Sequence, residues 1–592
     1  MRVVLTIWSL IWAGAVAAQQ AADAVAPEAA GAGAFENLPS EFAAALEAKN
    51  AGQPVTASDW MVAAANPHAV KAGADVLAAG GTAADALVAV QVVLGLVEPQ
   101  SSGLGGGAFL VWYDAASGEV TTLDGRETAP LAATPRLFQD ANGEPLKFFD
   151  AVVGGRSVGT PGTPALLAEV HARWGNRDWA SLLQPGIDLA EAGFPVSPRL
   201  AALVEGDQER LASSGVTASY FMPDGEVIQP GNILKNPAYA ETLRSFAAEG
   251  AGVFYGGQIG RDIVATVQGA AGNPGVLSEV DLAIYRVKER PAVCAPYRGH
   301  EVCGMGPPSS GAVAVGQILM GLEPYDLSAG PQDATVRRIM GDAARLAFAD
   351  RGRYLADSDY VPVPVTGLLD PAYMAERAKL LEGDRALEEV APGNPAFDHA
   401  LNWADDDSIE LPSTSHISIV DAAGNVASMT TTIENGFGSR LMVGGFLLNN
   451  ELTDFSFSSQ SDGVPIANRV EPGKRPRSSM APTIVLRDGA PVLAVGSPGG
   501  SRIIGYVSQA IVGVIDWGMN VQEAASIPHA VNRFGTYDLE EGTAAAELEE
   551  ALTEMGFEVG TRALTSGLHL IAIGDGLQGG ADPRREGIAY GQ

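Results

Sequence analysis

Pro412-Ser413-Thr414-Ser415-His416-Ile417-Ser418-Ile419-Val420-Asp421 is the stretch on which the reading of this chain turns. It follows the acidic, loop-like Asp405-Asp406-Asp407 and runs as an alternating strand into the turn Ala423-Gly424-Asn425. A Thr at such a junction has a particular chemical use. If the Ser413–Thr414 bond is cut, Thr414 gains a free α-amine beside its own hydroxyl. Base and nucleophile then sit in one residue, and no separate catalytic His is needed. Taken alone, the same stretch also describes a Ser/Thr-rich strand start, so the segments around it decide.

Downstream come Ser428-Met429-Thr430-Thr431-Thr432-Ile433-Glu434-Asn435-Gly436-Phe437-Gly438-Ser439-Arg440 and Leu447-Leu448-Asn449-Asn450-Glu451-Leu452-Thr453-Asp454-Phe455. Then follow Pro472-Gly473-Lys474-Arg475-Pro476-Arg477-Ser478-Ser479-Met480-Ala481-Pro482-Thr483 and Gly496-Ser497-Pro498-Gly499-Gly500-Ser501-Arg502. In this order the set resembles the small subunit of the γ-glutamyltransferases (γ-glutamyl transpeptidases, glutathione hydrolases). These are N-terminal-nucleophile hydrolases, which cut themselves to expose the nucleophile. The resemblance reaches upstream from about Ala57 through Gly304-Met305-Gly306-Pro307-Pro308-Ser309-Ser310-Gly311.

The resemblance implies an α+β fold, a four-layer αββα sandwich that is one compact unit made of two self-processed subunits. Residues 57–413 would be the large subunit and 414–592 the small one, associated as a heterodimer. It implies scission between Ser413 and Thr414, Thr414 as nucleophile, and Thr432 as the hydroxyl that hydrogen-bonds it. Gly499 and Gly500 would form the oxyanion hole. Arg126, in Gly125-Arg126-Glu127, matches the family's Asp-Tyr-Arg-Glu segment and would clamp the substrate's α-carboxylate with Ser478 and Ser479. Glu451 and Asp454 match the acids that hold the α-amino group. The implied substrates are glutathione or other γ-glutamyl amides, with water, an amino acid or a peptide as acceptor, and no cofactor. Two departures stand out. Glu434 occupies the place of an Asn in enterobacterial-type members, either facing the ammonium or pairing with Arg440. Between Asp454 and Ser478 the chain lacks a Tyr and is shorter than the lid-bearing members, which implies a more open pocket. The alternatives are a glutaryl- or cephalosporin-type acylase of the same superfamily, or an inactive periplasmic binding or structural homologue.

Residue chemistry agrees with these assignments without requiring them. Arg126 carries a fork that can grip a carboxylate through two bonds, and it can equally serve a structural ion pair. Two glycines leading into a helix present unobstructed N–H groups, suited to an oxyanion and to a tight turn alike. A zwitterionic γ-glutamyl head calls for cation and hydroxyls at one end and carboxylates at the other.

The rest of the chain sets the context. With 37 Lys+Arg against 70 Asp+Glu, the formal charge is −33. Such a surface repels nucleic acid and anionic membranes, so neither is expected as a partner. An apolar fraction of 46% with 18% charged residues is globular. Residues 1–18 read as a secretory signal and 19–56 as a low-complexity Ala/Gly-rich segment, so a periplasmic or secreted location is expected. Cys294 and Cys303 flank a hairpin turn; they read either as a disulfide or as two small buried thiols, and no metal motif is found. Helices are expected over Pro67–Ala79, from a Thr82 cap to Val97, and over Pro164–Trp174, Trp179–Glu191, Thr335–Phe348, Asp370–Arg385 and Ile503–Val514. Gly103-Leu104-Gly105-Gly106-Gly107 precedes a strand, the wrong order for a nucleotide cradle, and reads as a packing turn. Asp350-Arg351-Gly352-Arg353 reads as a solvated or salt-bridged corner.

Overall fold

The computed structural model describes residue 35 and residues 38–399, 402–406, 408 and 410–592. The signal-like start and the first part of the Ala/Gly tract lie outside these residues.

Period-2 alternation builds the centre of the molecule. Met61 and Ala63 point to one face of their strand and Val62 and Ala64 to the other; Val111 and Tyr113 oppose Leu110 and Trp112 in the same way. The first members of these pairs meet Ile484, Leu486, Ala494 and Ile571 of a second sheet, forming an apolar cluster between two sheets. The second members pack outward against helices that include Pro67–Ala78, Ala83–Val97 and Thr163–Trp174. On the far side, Val485, Leu493, Val495 and Leu570 pack against Gly311–Leu322, Ala334–Tyr354 and Ile503–Ile515. The result is helix, sheet, sheet, helix.

The first sheet runs Ile588–Gly591, Met61–Ala64, Ser415–Val420, Val426–Thr432, Gly107–Asp114, Glu119–Gly125. The second runs His300–Met305, Thr483–Arg487, Ala490–Gly496, His569–Ile573, Leu577–Ala581, Val55–Ala57. The strand Lys288–Tyr297 joins them: residues 288–291 pair with Glu119–Gly125, and residues 292–297 with His300–Met305. Within that hairpin Cys294 and Cys303 are direct cross-strand partners and are disulfide-bonded. The two strands after Thr414 lie between strands from before it, hydrogen-bonded on both edges.

Local chemistry accounts for the elements. Thr82 and Asp85 form a capping box at the start of the wholly buried helix Ala83–Val97. In the glycine run, a Cβ on Gly106 would lie 1.9 Å from the Thr432 carbonyl oxygen, so this turn is a close approach of two backbones. No helix among the described residues is long and apolar enough to cross a membrane.

Two expectations change, and one alternative is decided. The helix begun at Pro371 ends at Lys379 rather than Arg385, since Gly383 takes φ +107° beyond it. Within 19–56, residues Ser40–Asn50 form a helix whose buried Phe42, Ala45 and Lys49 share one face. Phe42 packs on Tyr590 at 4.4 Å, and Lys49 Nζ donates to the Arg585 and Gly587 carbonyls at 2.6 and 2.8 Å, so the fold begins within the segment read as low-complexity. Of the two readings of Asp350 and Arg351, the salt-bridged one holds: they lie buried in the helix Ala334–Tyr354, Asp350 paired with Arg377 at 3.4 Å and Arg351 with Glu410.

Candidate functional site

Strand direction concentrates the chemistry at one end of the sandwich. Glu119–Gly125 delivers Arg126, Val426–Thr432 delivers Thr432 and then Glu434, and Ser415–Val420 begins just after Thr414. From the second sheet, Ala490–Gly496 runs into Gly499 and Gly500, and Ser478 and Ser479 precede Thr483–Arg487. Arg126, Thr414, Thr432, Glu434, Glu451, Asp454, Ser478, Ser479 and Gly500 line one small pocket. The Cys294–Cys303 pair takes no part in it.

Thr414 is buried, and its Oγ1 lies 3.0 Å from Thr432 Oγ1. Its φ is +93°, a region that a β-branched residue enters only at a cost of about 1–3 kcal/mol. Arg585 Nη1 donates to the Thr414 carbonyl at 2.9 Å, and Ser413 Oγ donates to the Gln100 carbonyl at 2.9 Å. The Ser413 carbonyl accepts from the Gly499 N–H at 3.3 Å. Gly499 and Gly500 have φ +134° and +57°, and a Cβ on Gly500 would lie 2.3 Å from the Glu410 carbonyl oxygen. Only glycine lets this loop lie against the segment leading to Thr414. His416 is no base: its two ring nitrogens bond Thr430 Oγ1 at 2.9 Å and Ser418 Oγ at 3.0 Å, and burial holds its pKa well below the usual histidine value.

The polar end is a dense charge cluster. Arg126 donates to Glu451 and to Asp454, to the Pro476 carbonyl at 3.2 Å and to the Arg477 carbonyl at 2.8 Å. Cation and acids, expected at opposite ends of a substrate, are therefore in direct contact. Burial opposes the charge on Arg126, but Glu451, Asp454 and Glu127 outweigh it and its pKa rises. Burial pushes the Glu451 and Asp454 carboxyls well above the usual range, with Arg126 pulling the other way. Glu127, also buried, is pushed up to about 8. Glu434 does not pair with Arg440. That guanidinium grips Asp207 at 2.8 and 3.2 Å, while Glu434 accepts from Asn450 and from the Leu411 N–H at 3.3 Å. Burial, then the nearby Asp454, raises its pKa. The site thus gathers more carboxylates than cations, a setting that favours a bound ammonium.

Sequence reasoning missed the partners of the hydroxyls. Ser479 Oγ donates to Glu410 Oε2 at 2.7 Å and accepts from Arg351 Nη2 at 2.9 Å; Arg351 also pairs with Glu410. The legible signal was an Arg and an acid in two charge-rich stretches, but only the fold brings them together.

Compared with known proteins, residues 69–592 match the family model described as Gamma-glutamyltranspeptidase. A glutathione hydrolase proenzyme of Bacillus subtilis (strain 168) is 38% identical over 548 residues, covering 90% of this chain and 91% of that protein. An acylase ACY 1 proenzyme of Pseudomonas sp. (strain SE83) is 36% identical over 542 residues, covering 89% and 92%. The crystal structure of a cephalosporin acylase from Bacillus halodurans superposes with a TM-score of 0.80 at 27% identity, covering 91% of this chain and 97% of that one.

Proposed function

The chain belongs to the gamma-glutamyltranspeptidase family, and from that membership we propose that it is an exported, self-cleaving threonine hydrolase and transferase of γ-glutamyl amides such as glutathione. The observation that carries the reading is the meeting of Thr414 Oγ1, Thr432 Oγ1 and a Ser413 carbonyl bonded to the Gly499 N–H.

The first reaction is the chain's own. Thr414 Oγ attacks the Ser413 carbonyl carbon, and the Gly499 N–H stabilises the developing oxyanion. The C–N bond breaks, the Thr414 nitrogen takes the hydroxyl's proton, and Ser413 is left as an ester on Oγ. Water hydrolyses that ester, freeing a Ser413 carboxylate and a Thr414 with amine and hydroxyl. Relief of the positive φ at Thr414 favours the cut. The two chains stay together as a heterodimer through the strand ladders on either side of Ser415–Val420 and Val426–Thr432.

In the cut enzyme the α-amine of Thr414 accepts the proton as Oγ attacks a γ-glutamyl carbonyl, while Thr432 orients the hydroxyl and Gly499 and Gly500 face the oxyanion. The leaving amine departs protonated, and water or an acceptor amine resolves the γ-glutamyl ester. Arg126 with Ser478 and Ser479 receives the α-carboxylate, and Glu434, Glu451 and Asp454 receive the ammonium.

Relatives named glutathione hydrolase reach 38% identity and relatives named acylase 36%, which favours the γ-glutamyl reading. The acid cluster supplies the test. A glutaryl group has no ammonium, so Asp454→Asn should lower kcat/KM on a γ-glutamyl anilide at least about tenfold more than on the glutaryl anilide. Equal losses on both would favour the acylase reading.

A further inference from the structure

Upstream of the cut the chain is threaded through the site rather than around it. Arg477 Nη2 holds Asp406 Oδ2 at 3.0 Å, and both are buried. Glu410, only 5% exposed, places its carboxylate between Arg351 and Ser479 Oγ, the latter at 2.7 Å. Arg351 is itself fixed by a bond from Nε to Ser310 Oγ at 2.9 Å. The backbone of the same residue is held as firmly, since the Ser501 N–H donates to the Glu410 carbonyl at 3.1 Å. The following Leu411 N–H reaches Glu434 Oε1 at 3.3 Å. These bonds end at the Ser413 carbonyl on the Gly499 N–H.

We propose that Glu410 is a positioning residue for self-cleavage, its carboxylate tying the chain to Arg351 and Ser479 so that the Ser413 carbonyl is held on the Gly499 N–H beside Thr414 Oγ1. This rests on the self-cleavage reading above. A carboxylate is needed because Arg351 is buried and its charge requires a partner. The carboxylate's partners are Arg351 and Ser479, not the reacting atoms of Ser413 and Thr414, which suits positioning rather than proton transfer. After the cut it lies near the new end of the large chain, beyond the broken bond, while Thr414 remains on the small chain. Its task is then complete.

The test follows scission and turnover separately, on the full chain. Folded wild type, Glu410→Gln and Glu410→Ala are matched by thermal unfolding, and the appearance of the two fragments is timed by denaturing gel and mass spectrometry. Misplacing the carbonyl should slow scission about 10- to 100-fold in Glu410→Ala. Glu410→Gln, which keeps the shape and can still bond Ser479, should be slowed less. Once cut, both variants should turn over the γ-glutamyl anilide with the KM and kcat of the wild type. If Glu410→Ala does not fold, Glu410→Gln decides alone. Scission at the wild-type rate overturns the proposal, as does slowed scission accompanied by an equal loss in kcat/KM of the cut protein, which marks a merely structural role. The parent reading fails differently, by a wild-type chain that never cuts or a Thr414→Ala chain that does.

Discussion

At Glu127 a carboxyl is buried beside Arg126, Glu451 and Asp454, and one guanidinium cannot neutralise three acids. Burial therefore keeps a proton on the cluster, and the Glu127 pKa moves from 4.5 to about 8. The folded state binds this proton more tightly than the unfolded chain does. Its contribution to stability is thus fully present below pH 4.5 and is lost as pH rises through about 8. Glu127→Gln, permanently neutral, should flatten the decline of the unfolding temperature across that window, measured by thermal melts at a series of pH values. A slope equal to the wild type's would show that Glu127 is already ionised at low pH. The gathering of candidate residues was the most legible level of this sequence, because Thr414, Thr432 and the two glycines stand in ordered motifs. What could not be read was which charge meets which. Arg126 bonds Glu451 and Asp454 directly, Arg440 turns to Asp207, and Arg351 finds Glu410; each pairing joins residues distant in the chain.

Elements were legible wherever the pattern was local. The Thr82–Asp85 capping box and the Asp421–Asn425 turn announce themselves in a few residues, and the expected helix and strands follow. The helix Ser40–Asn50 was hidden because an Ala-rich stretch carries little hydrophobic contrast, and its burial depends on Tyr590 at the other end of the chain. The glycine run makes a sharper demand. A Cβ on Gly106 would meet the Thr432 carbonyl oxygen at 1.9 Å and Ile433 Cγ2 at 2.8 Å. Backbone cannot yield as a side chain would, so the end of the Val426–Thr432 strand must move. Gly106→Ala should cost about 1–3 kcal/mol in denaturant unfolding and slow scission by shifting Thr432 away from Thr414. Unchanged stability and unchanged scission would refute the close-approach account.

Across the whole molecule, the sandwich would hold the two parts of a chain cut before Thr414 together. Strands from either side of Thr414 alternate in one sheet, and the apolar cluster between the sheets draws on both parts. The layers followed from the family resemblance and the alternating strands; the joining of the two sheets by the single strand Lys288–Tyr297 did not, since one strand serving two sheets leaves no mark in its own sequence. The central claim is that this architecture exists to break the bond before Thr414 and then to use the residue it frees. Intact-mass spectrometry of the purified wild type and Thr414→Ala under denaturing conditions addresses it most directly. The account requires a wild-type small chain beginning at Thr414 and ending at Gln592, and a single uncut chain in the variant; a wild type that remains whole, or a Thr414→Ala chain still broken at this bond, would contradict it.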